Sequence, residues 1–305
     1  MPLQWINASH VIQNGLKRLG FMVSFSKIVK KYLWTEMRRN DSYPADGNIQ
    51  HMHPLKYQLD LLLHLVKRDF VLRYKRSALG VLWSLLVPLA QLLVLVFIFT
   101  RIVPLKIEDY PAFLFSALLP WTWFSTCLGS AGRIFYDNRD LMFQPNFDPF
   151  VLVVVNTLSN LLIYLAALPV LAVLLLLYGR TPTSALLFWP FLVLIQGCLT
   201  VGLSLIIATL NVFYRDVEHA VGVALLLLFY MTPVFYQAEA ISGPFSIIYT
   251  INPIAGLITH YRAIFFFGRN PEMVSLWYMS LFSLFVAIVG YAIYRHQLPH
   301  VIDEI

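Results

Sequence analysis

Residues 150–178, FVLVVVNTLSNLLIYLAALPVLAVLLLLY, contain no Asp, Glu, Lys or Arg. A helix needs about 20 apolar residues to cross the hydrocarbon core of a bilayer, so this stretch is long enough to span one. Five further stretches lack the same four residue types, and only the one at 220–238 falls slightly short of that length. Together the six stretches predict an all-α, polytopic membrane protein with six transmembrane helices: 80–99, 112–132, 150–178, 185–214, 220–238 and 274–294.

The absence of charge at bilayer depth restricts how such a protein could do work. Ion-coupled transporters and proton pumps usually carry ionisable side chains inside the membrane. The sequence also contains no G-x-x-x-x-G-K-[ST] stretch, the loop that cradles nucleotide phosphates. We therefore expect no catalytic residue and no metal site in this chain, which must draw its energy from elsewhere or do no work.

The distribution of positive charge predicts the orientation. Of the 22 Lys and Arg residues, 13 precede residue 78. With the N-terminus in the cytoplasm and six crossings, the inner segments carry 17 of these residues and the outer segments carry 5. Cytoplasmic loops are enriched in Lys and Arg, so both termini are predicted to be cytoplasmic.

Four regions follow from this pattern. Residues 1–54 are predicted to be an N-terminal cytoplasmic extension, 55–77 an amphipathic helix lying in the inner interface, 78–296 the six-helix membrane domain and 297–305 a cytoplasmic tail. The interface helix has apolar residues at helical spacing, with charged residues on its other side.

Residues 243–268 are apolar but contain Asn252-Pro253, His260 and Arg262. Because Asn-Pro interrupts helices, we expect a pair of half-helices here that enter the membrane from outside and return before the last crossing. This arrangement predicts that His260 and Arg262 lie near the outer headgroups.

The inner loop GRIFYDNRDLMFQPNFDP, residues 132–149, is unusually rich in large apolar residues for a loop. A short helix over 132–143 would bury one face and present its charges, which is the pattern of a partner-binding site. The alternative is a loop that simply packs on its own helix bundle.

Several stretches resemble the membrane subunits of bacterial ABC-type polysaccharide exporters, which move O-antigen, capsule or teichoic acid chains on lipid carriers. They are KRDFVLRYKRSALGVLWSLLVPL (67–89), YPAFLFSALLPWTWF (110–124), NVFYRDV (211–217), MTPVFY (231–236) and INP (251–253). The resemblance implies a permease that works as a homodimer in the bacterial inner membrane. Two copies of a separate ATPase subunit would bind ATP and Mg²⁺, and the substrate would be a lipid-linked polysaccharide, most simply O-antigen; no nucleic acid is expected.

The same resemblance implies roles for particular residues. A coupling helix would contact the ATPase subunit through Arg133, Tyr136, Asp137, Arg139, Asp140 and Phe143. The interface helix would frame a cytoplasmic gate with Asp69, Arg73 and Arg76. Aromatic rings would line a substrate channel at the dimer interface, with Trp121, Trp123, Phe124, Tyr230 and Tyr236 as candidates. The alternative for these rings is an ordinary interfacial belt.

Two other functions remain open at this point. One is an ABC exporter of small hydrophobic molecules, and the other is a polytopic transferase of lipid-linked sugars.

Overall fold

The computed structural model describes residues 54–74, 82–144, 147–237 and 252–305, and this part of the chain is helical and loop structure without strands. The predicted extension 1–54 lies outside the described residues except for its last residue, and Arg76 lies outside them as well. The helices are α1 (Pro54–Tyr74), α2 (Leu82–Phe97), α3 (Tyr110–Ala131), α4 (Ile134–Asp137), α5 (Arg139–Met142), α6 (Phe150–Leu177), α7 (Trp189–Phe213), α8 (Asp216–Met231), α9 (Pro253–Phe265) and α10 (Met273–Glu304).

Helix α3 is the centre of the bundle. Sixteen of its 22 residues are buried, and it contacts α2, α6, α7, α8 and α9. It also has the lowest mean hydropathy of the five helices that could span a membrane. A helix surrounded by other helices needs no lipid-compatible surface, which explains why the least apolar span is the most enclosed.

Polar contacts sort the loops into two ends of the bundle. At one end, here the Asp109 end, Arg180 Nη2 lies 2.8 Å from Asp109 Oδ2 and Thr183 donates to Gly268 O. At the other, the Gly132 end, Arg133 pairs with Glu218 at 2.7 Å. The loops predicted to be outer meet at the Asp109 end, and the loops predicted to be inner meet at the Gly132 end.

Within the described residues, five helices are long and apolar enough to cross a membrane: Trp83–Ile102, Tyr110–Ala131, Phe150–Leu177, Ser184–Phe213 and Met273–Glu304. The remaining predicted crossing, 220–238, corresponds to α8, which has only 16 residues and a length of about 24 Å. Glu218 at its start lies at the Gly132 end. Phe235, just after it, accepts a hydrogen bond from Tyr110 at the Asp109 end. The chain therefore runs from one end of the bundle to the other through α8.

The segment before the last span contains one well-defined helix, α9. Its N-terminus is capped by Asn252, whose side chain accepts from the amides of Ile254 and Ala255, and Pro253 occupies the first turn. Gly256 in its first turn lies against Met279 of α10, while His260 contacts Ser275. Helix α9 therefore packs antiparallel to the first turns of α10, and its C-terminal half lies near the N-terminal end of α10. The other predicted half-helix lies mostly outside the described residues.

Helices α7 and α10 form the closest crossing. A Cβ atom on Gly290 would lie 2.3 Å from Gly202 O, and one on Gly202 would lie 2.7 Å from Ala287 Cα. Small residues let membrane helices approach until their backbones touch.

Candidate functional site

The predicted coupling helix is two short helices rather than one. α4 and α5 have four residues each and are separated by Asn138. The single helix predicted over 132–143 is therefore wrong. Asn138 Nδ2 donates to Ile134 O at 3.0 Å, and such a side-chain bond competes with helix continuation.

The two short helices are anchored by apolar side chains. Ile134, Phe135 and Met142 are buried in a cluster at the Gly132 end. Six residues around these anchors are called here the docking patch: Arg133, Tyr136, Asp137, Arg139, Asp140 and Phe143. Four of them are exposed charged residues, Tyr136 is half-buried and Phe143 is 54% exposed. An exposed ring among charges on a well-anchored element is typical of a surface that binds a partner protein.

Asn211 fixes this region to the rest of the bundle. Its Nδ2 donates to Gly132 O at 2.9 Å, and its Oδ1 accepts from the amide of Glu218 at 3.0 Å. Glu218 in turn pairs with Arg133, and this hydrogen bond raises the pKa of the Arg133 guanidinium. Tyr136 donates to Val212 O at 3.3 Å. One buried amide thus joins the docking patch to the start of α8.

The predicted cytoplasmic tail 297–305 is not a separate region, because α10 continues to Glu304. At 32 residues, α10 is about 48 Å long, well beyond the roughly 30 Å hydrocarbon core. Val301 and Ile305 are buried in the same apolar cluster as the anchors of the docking patch. Tyr294, further back, donates to Asp148 at 2.5 Å. The end of the chain therefore braces the docking patch.

The residues predicted to form the gate lie on α1, and two of the three are described. Arg73 pairs with Asp69 at 3.1 Å and donates to Asn160 at 2.8 Å and Asn156 at 3.1 Å on α6. Asn156 also donates to Cys127 O on α3. The polar residues near the start of α6 thus bond to neighbouring helices, as expected for amides in lipid.

Three of the five candidate channel residues are enclosed by the protomer itself. Trp121, Trp123 and Phe124 are 5%, 3% and 3% exposed. Trp123 donates to Thr157 O at 3.2 Å and stacks on Tyr164. In this conformation they do not reach the surface of the protomer, so the structure does not bring them to a dimer interface, and their channel assignment stays a prediction. Helix α3 has no charged residue to mark an outer face, so its sequence did not reveal which face is covered.

Tyr230 and Tyr236 are placed differently. Tyr230 is 60% exposed at the end of α8, and Tyr236 is half-buried and donates to Tyr230 O at 3.3 Å. Phe235 between them contacts both rings and stacks on Phe99 at 5.2 Å. The two tyrosines form the rim of an aromatic cluster at the Asp109 end.

The segment carrying these rings is held by Arg262. Its Nη2 donates to Pro233 O at 2.7 Å and Val234 O at 2.8 Å. Its Nη1 donates to Tyr236 O at 3.2 Å, and the guanidinium lies 3.8 Å from the Phe113 ring centroid. Arg262 is 3% exposed.

His260 is equally enclosed, at 4% exposed. Both side chains therefore contact protein rather than lipid headgroups, and their depth in the membrane stays a prediction. A cation in an apolar stretch was the sequence signal for this role of Arg262, because such a charge needs internal partners.

Comparison with known proteins agrees with this arrangement. Residues 60–266 match the family described as ABC-2 type transporter. The chain is 36% identical over 239 residues to the O-antigen export system permease protein RfbA of Myxococcus xanthus, covering 78% of this chain and 92% of that protein. RfbA of Klebsiella pneumoniae is 34% identical over 81% of this chain and 96% of its own length.

A more distant relative is the polysialic acid transport protein KpsM of Escherichia coli. It is 25% identical over 75% of this chain and 90% of its own length. The family match covers more than half of the chain and includes α1, the docking patch, the 232–236 segment and α9. The chain belongs to the ABC-2 type transporter family.

Proposed function

We propose that this chain is the membrane subunit of an ATP-driven exporter of lipid-linked O-antigen in a bacterial inner membrane. The observation that carries the proposal is the 36% identity to an O-antigen export permease over 92% of that protein's length. A second O-antigen export permease, 34% identical over 96% of its own length, supports the same cargo class.

We propose that ATP hydrolysis is supplied by a separate subunit that binds the docking patch. The sequence has no phosphate-binding loop of the Walker type, so motion must come from a partner. The patch offers an exposed ring and charges of both signs on helices whose other faces are buried. An element that is exposed on one face and buried on the other can pass the partner's movement to the helix bundle without unfolding.

The topology proposed is six crossings with both termini in the cytoplasm. Helix α8 supports the sixth crossing because it connects the Gly132 end to the Asp109 end. Its length of about 24 Å would be compensated by local bilayer thinning or by the irregular residues that follow it. The excess of Lys and Arg in the predicted inner segments supports a cytoplasmic Gly132 end.

The channel is proposed to lie between two copies of the chain, lined in part by Tyr230 and Tyr236. Large apolar side chains are exposed on α2, α8 and α10, and lipid or a second copy can cover them. Aromatic rings hold the apolar C–H faces of sugars weakly and repeatedly, which suits a chain that must slide. The half-exposed rim at Tyr230 is the part of the aromatic cluster able to make such contact.

The test is purification of the chain from its native membrane, followed by an ATPase assay on whatever accompanies it. We expect a nucleotide-binding subunit in equal amount, hydrolysis that depends on this chain, and loss of surface O-antigen when the chain is deleted. Replacing Tyr136 and Asp140 with Ala should lower transport-coupled hydrolysis, whereas Glu108→Ala, an exposed acid at the Asp109 end, should not.

Three results would contradict the proposal. Absence of an ATPase partner would favour the transferase, and drug sensitivity with intact O-antigen would favour the exporter of small molecules. Unchanged coupling in the Tyr136 and Asp140 variant would remove the docking patch from the mechanism.

A further inference from the structure

We propose that Arg68 and Asn138 form a positioning pair that passes movement from the docking patch to α1, so that α1 acts as a relay. The inference rests on the proposed function, because it assumes that a partner pushes on the patch. It assigns a role to two side chains that no earlier step placed in the gate or in the docking surface.

The pair joins two elements that are 70 positions apart in the chain. Arg68 Nη2 on α1 donates to Asn138 Oδ1 at 3.1 Å. Asn138 is the junction between α4 and α5, and its Nδ2 donates to Ile134 O at 3.0 Å. One amide side chain therefore binds α1 on one side and α4 on the other, at the point where the two short helices meet.

Apolar contacts reinforce the same connection. Leu141 of α5 packs in the cluster formed by Leu65 and Val66 of α1 with Val155 of α6. It also packs in the cluster that anchors the docking patch. Protein interiors are closely packed, so Leu141 cannot move with one cluster without disturbing its contacts in the other. The docking patch and α1 are thus joined by a hydrogen bond and by a common apolar contact.

Helix α1 is fixed to a membrane-spanning helix at a second point. Arg73, five residues after Arg68, donates to Asn156 and Asn160 of α6. A displacement of α4 and α5 must therefore either carry α1 with it, shifting it against α6, or break the contact with Arg68. Energetic coupling between distant sites passes through such chains of packed and hydrogen-bonded side chains. α1 is in this way placed between the patch and the bundle.

The experiment uses the full-length chain co-purified with its ATPase subunit, and compares ATP hydrolysis with surface O-antigen in the same cells. The variants are Arg68→Met, which keeps an apolar stem but removes the donor, Asn138→Ala, and the double variant. Lys67→Ala is the matched control, because it removes the neighbouring cation of the same helix.

We expect the ATPase subunit to remain bound and to hydrolyse ATP in each variant, while export per ATP hydrolysed falls on the order of fivefold. The double variant should be no worse than Asn138→Ala alone, because that change already removes the contact with Arg68. Lys67→Ala should export normally.

The outcomes separate this inference from the proposed function. A wild-type chain that retrieves no ATPase contradicts the proposed function itself. Normal export by Arg68→Met, or strictly additive losses in the double variant, contradicts the relay. Loss of the ATPase subunit from Arg68→Met also contradicts it, because Arg68 would then serve docking rather than transmission. Arg68→Met lies outside α4 and α5, so its result stands even where Asn138→Ala fails to fold.

Discussion

Replacing Gly290 with Ala should destabilise the protein, although alanine is the better helix former. The new Cβ would lie 2.3 Å from Gly202 O, about 0.7 Å inside the 3.0 Å limit for real Cβ contacts, and the obstacle is backbone rather than a flexible side chain. Helices α7 and α10 would have to separate along a crossing that also brings Gly202 against Ala287. Inserting an atom into a packed contact costs about 1–3 kcal/mol. Because the obstacle is backbone, the cost falls in the upper part of this range, about 2–3 kcal/mol. Better helix propensity returns about 1 kcal/mol, so we expect a net loss of roughly 1–2 kcal/mol.

The assay is thermal unfolding of the purified protein in a single detergent. Unfolding is monitored either by loss of the monodisperse peak or by dye binding. A loss of roughly 1–2 kcal/mol corresponds to a decrease in Tm of about 2–8 °C for a domain of this size. Gly129→Ala is the control, because its Cβ would meet only Leu225 at an ordinary 3.8 Å; its Tm should stay level or rise. A Gly290→Ala protein as stable as Gly129→Ala would show that the α7–α10 crossing is not packed as described.

Three further perturbations test the two ends of the bundle. Asn211→Ala removes the amide that joins the docking patch to α8, which should cost about 1–3 kcal/mol and reduce recovery of the ATPase subunit in pull-down experiments. Arg262→Met should leave three carbonyls of the 233–236 segment without their buried donor; we expect faster proteolysis of this segment and reduced export, with the ATPase subunit still bound. Truncation of residues 301–305 removes the apolar brace of the docking patch and should lower Tm and ATPase recovery together, whereas a true unstructured tail would be lost without effect.

The helices that enter lipid could be predicted from the sequence because charge is excluded from the hydrocarbon core on physical grounds. The runs at 112–132, 150–178 and 185–214 correspond to α3, α6 and α7 with small shifts at their ends. Short-range chemistry was also readable: the Asn252-Pro253 pair interrupts the apolar segment, and a helix starts there. These features depend on residues that are close together in the sequence, so a single sequence is enough to predict them.

The direction in which an apolar helix faces was not readable. In a soluble protein, polar residues mark the outer face of a helix, but lipid and protein interior both accept Trp121 and Phe124. The exposed Tyr230 and the buried Trp123 therefore looked alike in the sequence.

The end of the chain shows a related difficulty. The predicted cytoplasmic tail 297–305 contains Pro299, yet α10 includes that residue and continues to Glu304. Two apolar residues, Val301 and Ile305, find burial against the docking patch. Burial of these two side chains stabilises α10 across Pro299, a residue type that usually ends a helix. The helical structure of the predicted tail depends on contacts with segments that are distant in the sequence. A sequence pattern shows only which residues are close together along the chain.

The packing of α3 bears on where a glycan could pass. A path through one protomer would have to displace Trp121, Trp123 and Phe124 from a core in which 16 of the 22 residues of α3 are buried. Opening such a core costs several kcal/mol for each large side chain removed from its contacts. A path between two copies would disturb only the exposed faces of α2, α8 and α10, and Tyr230 already lies on one of these faces. The distribution of burial therefore favours the proposed channel between protomers over one within a protomer.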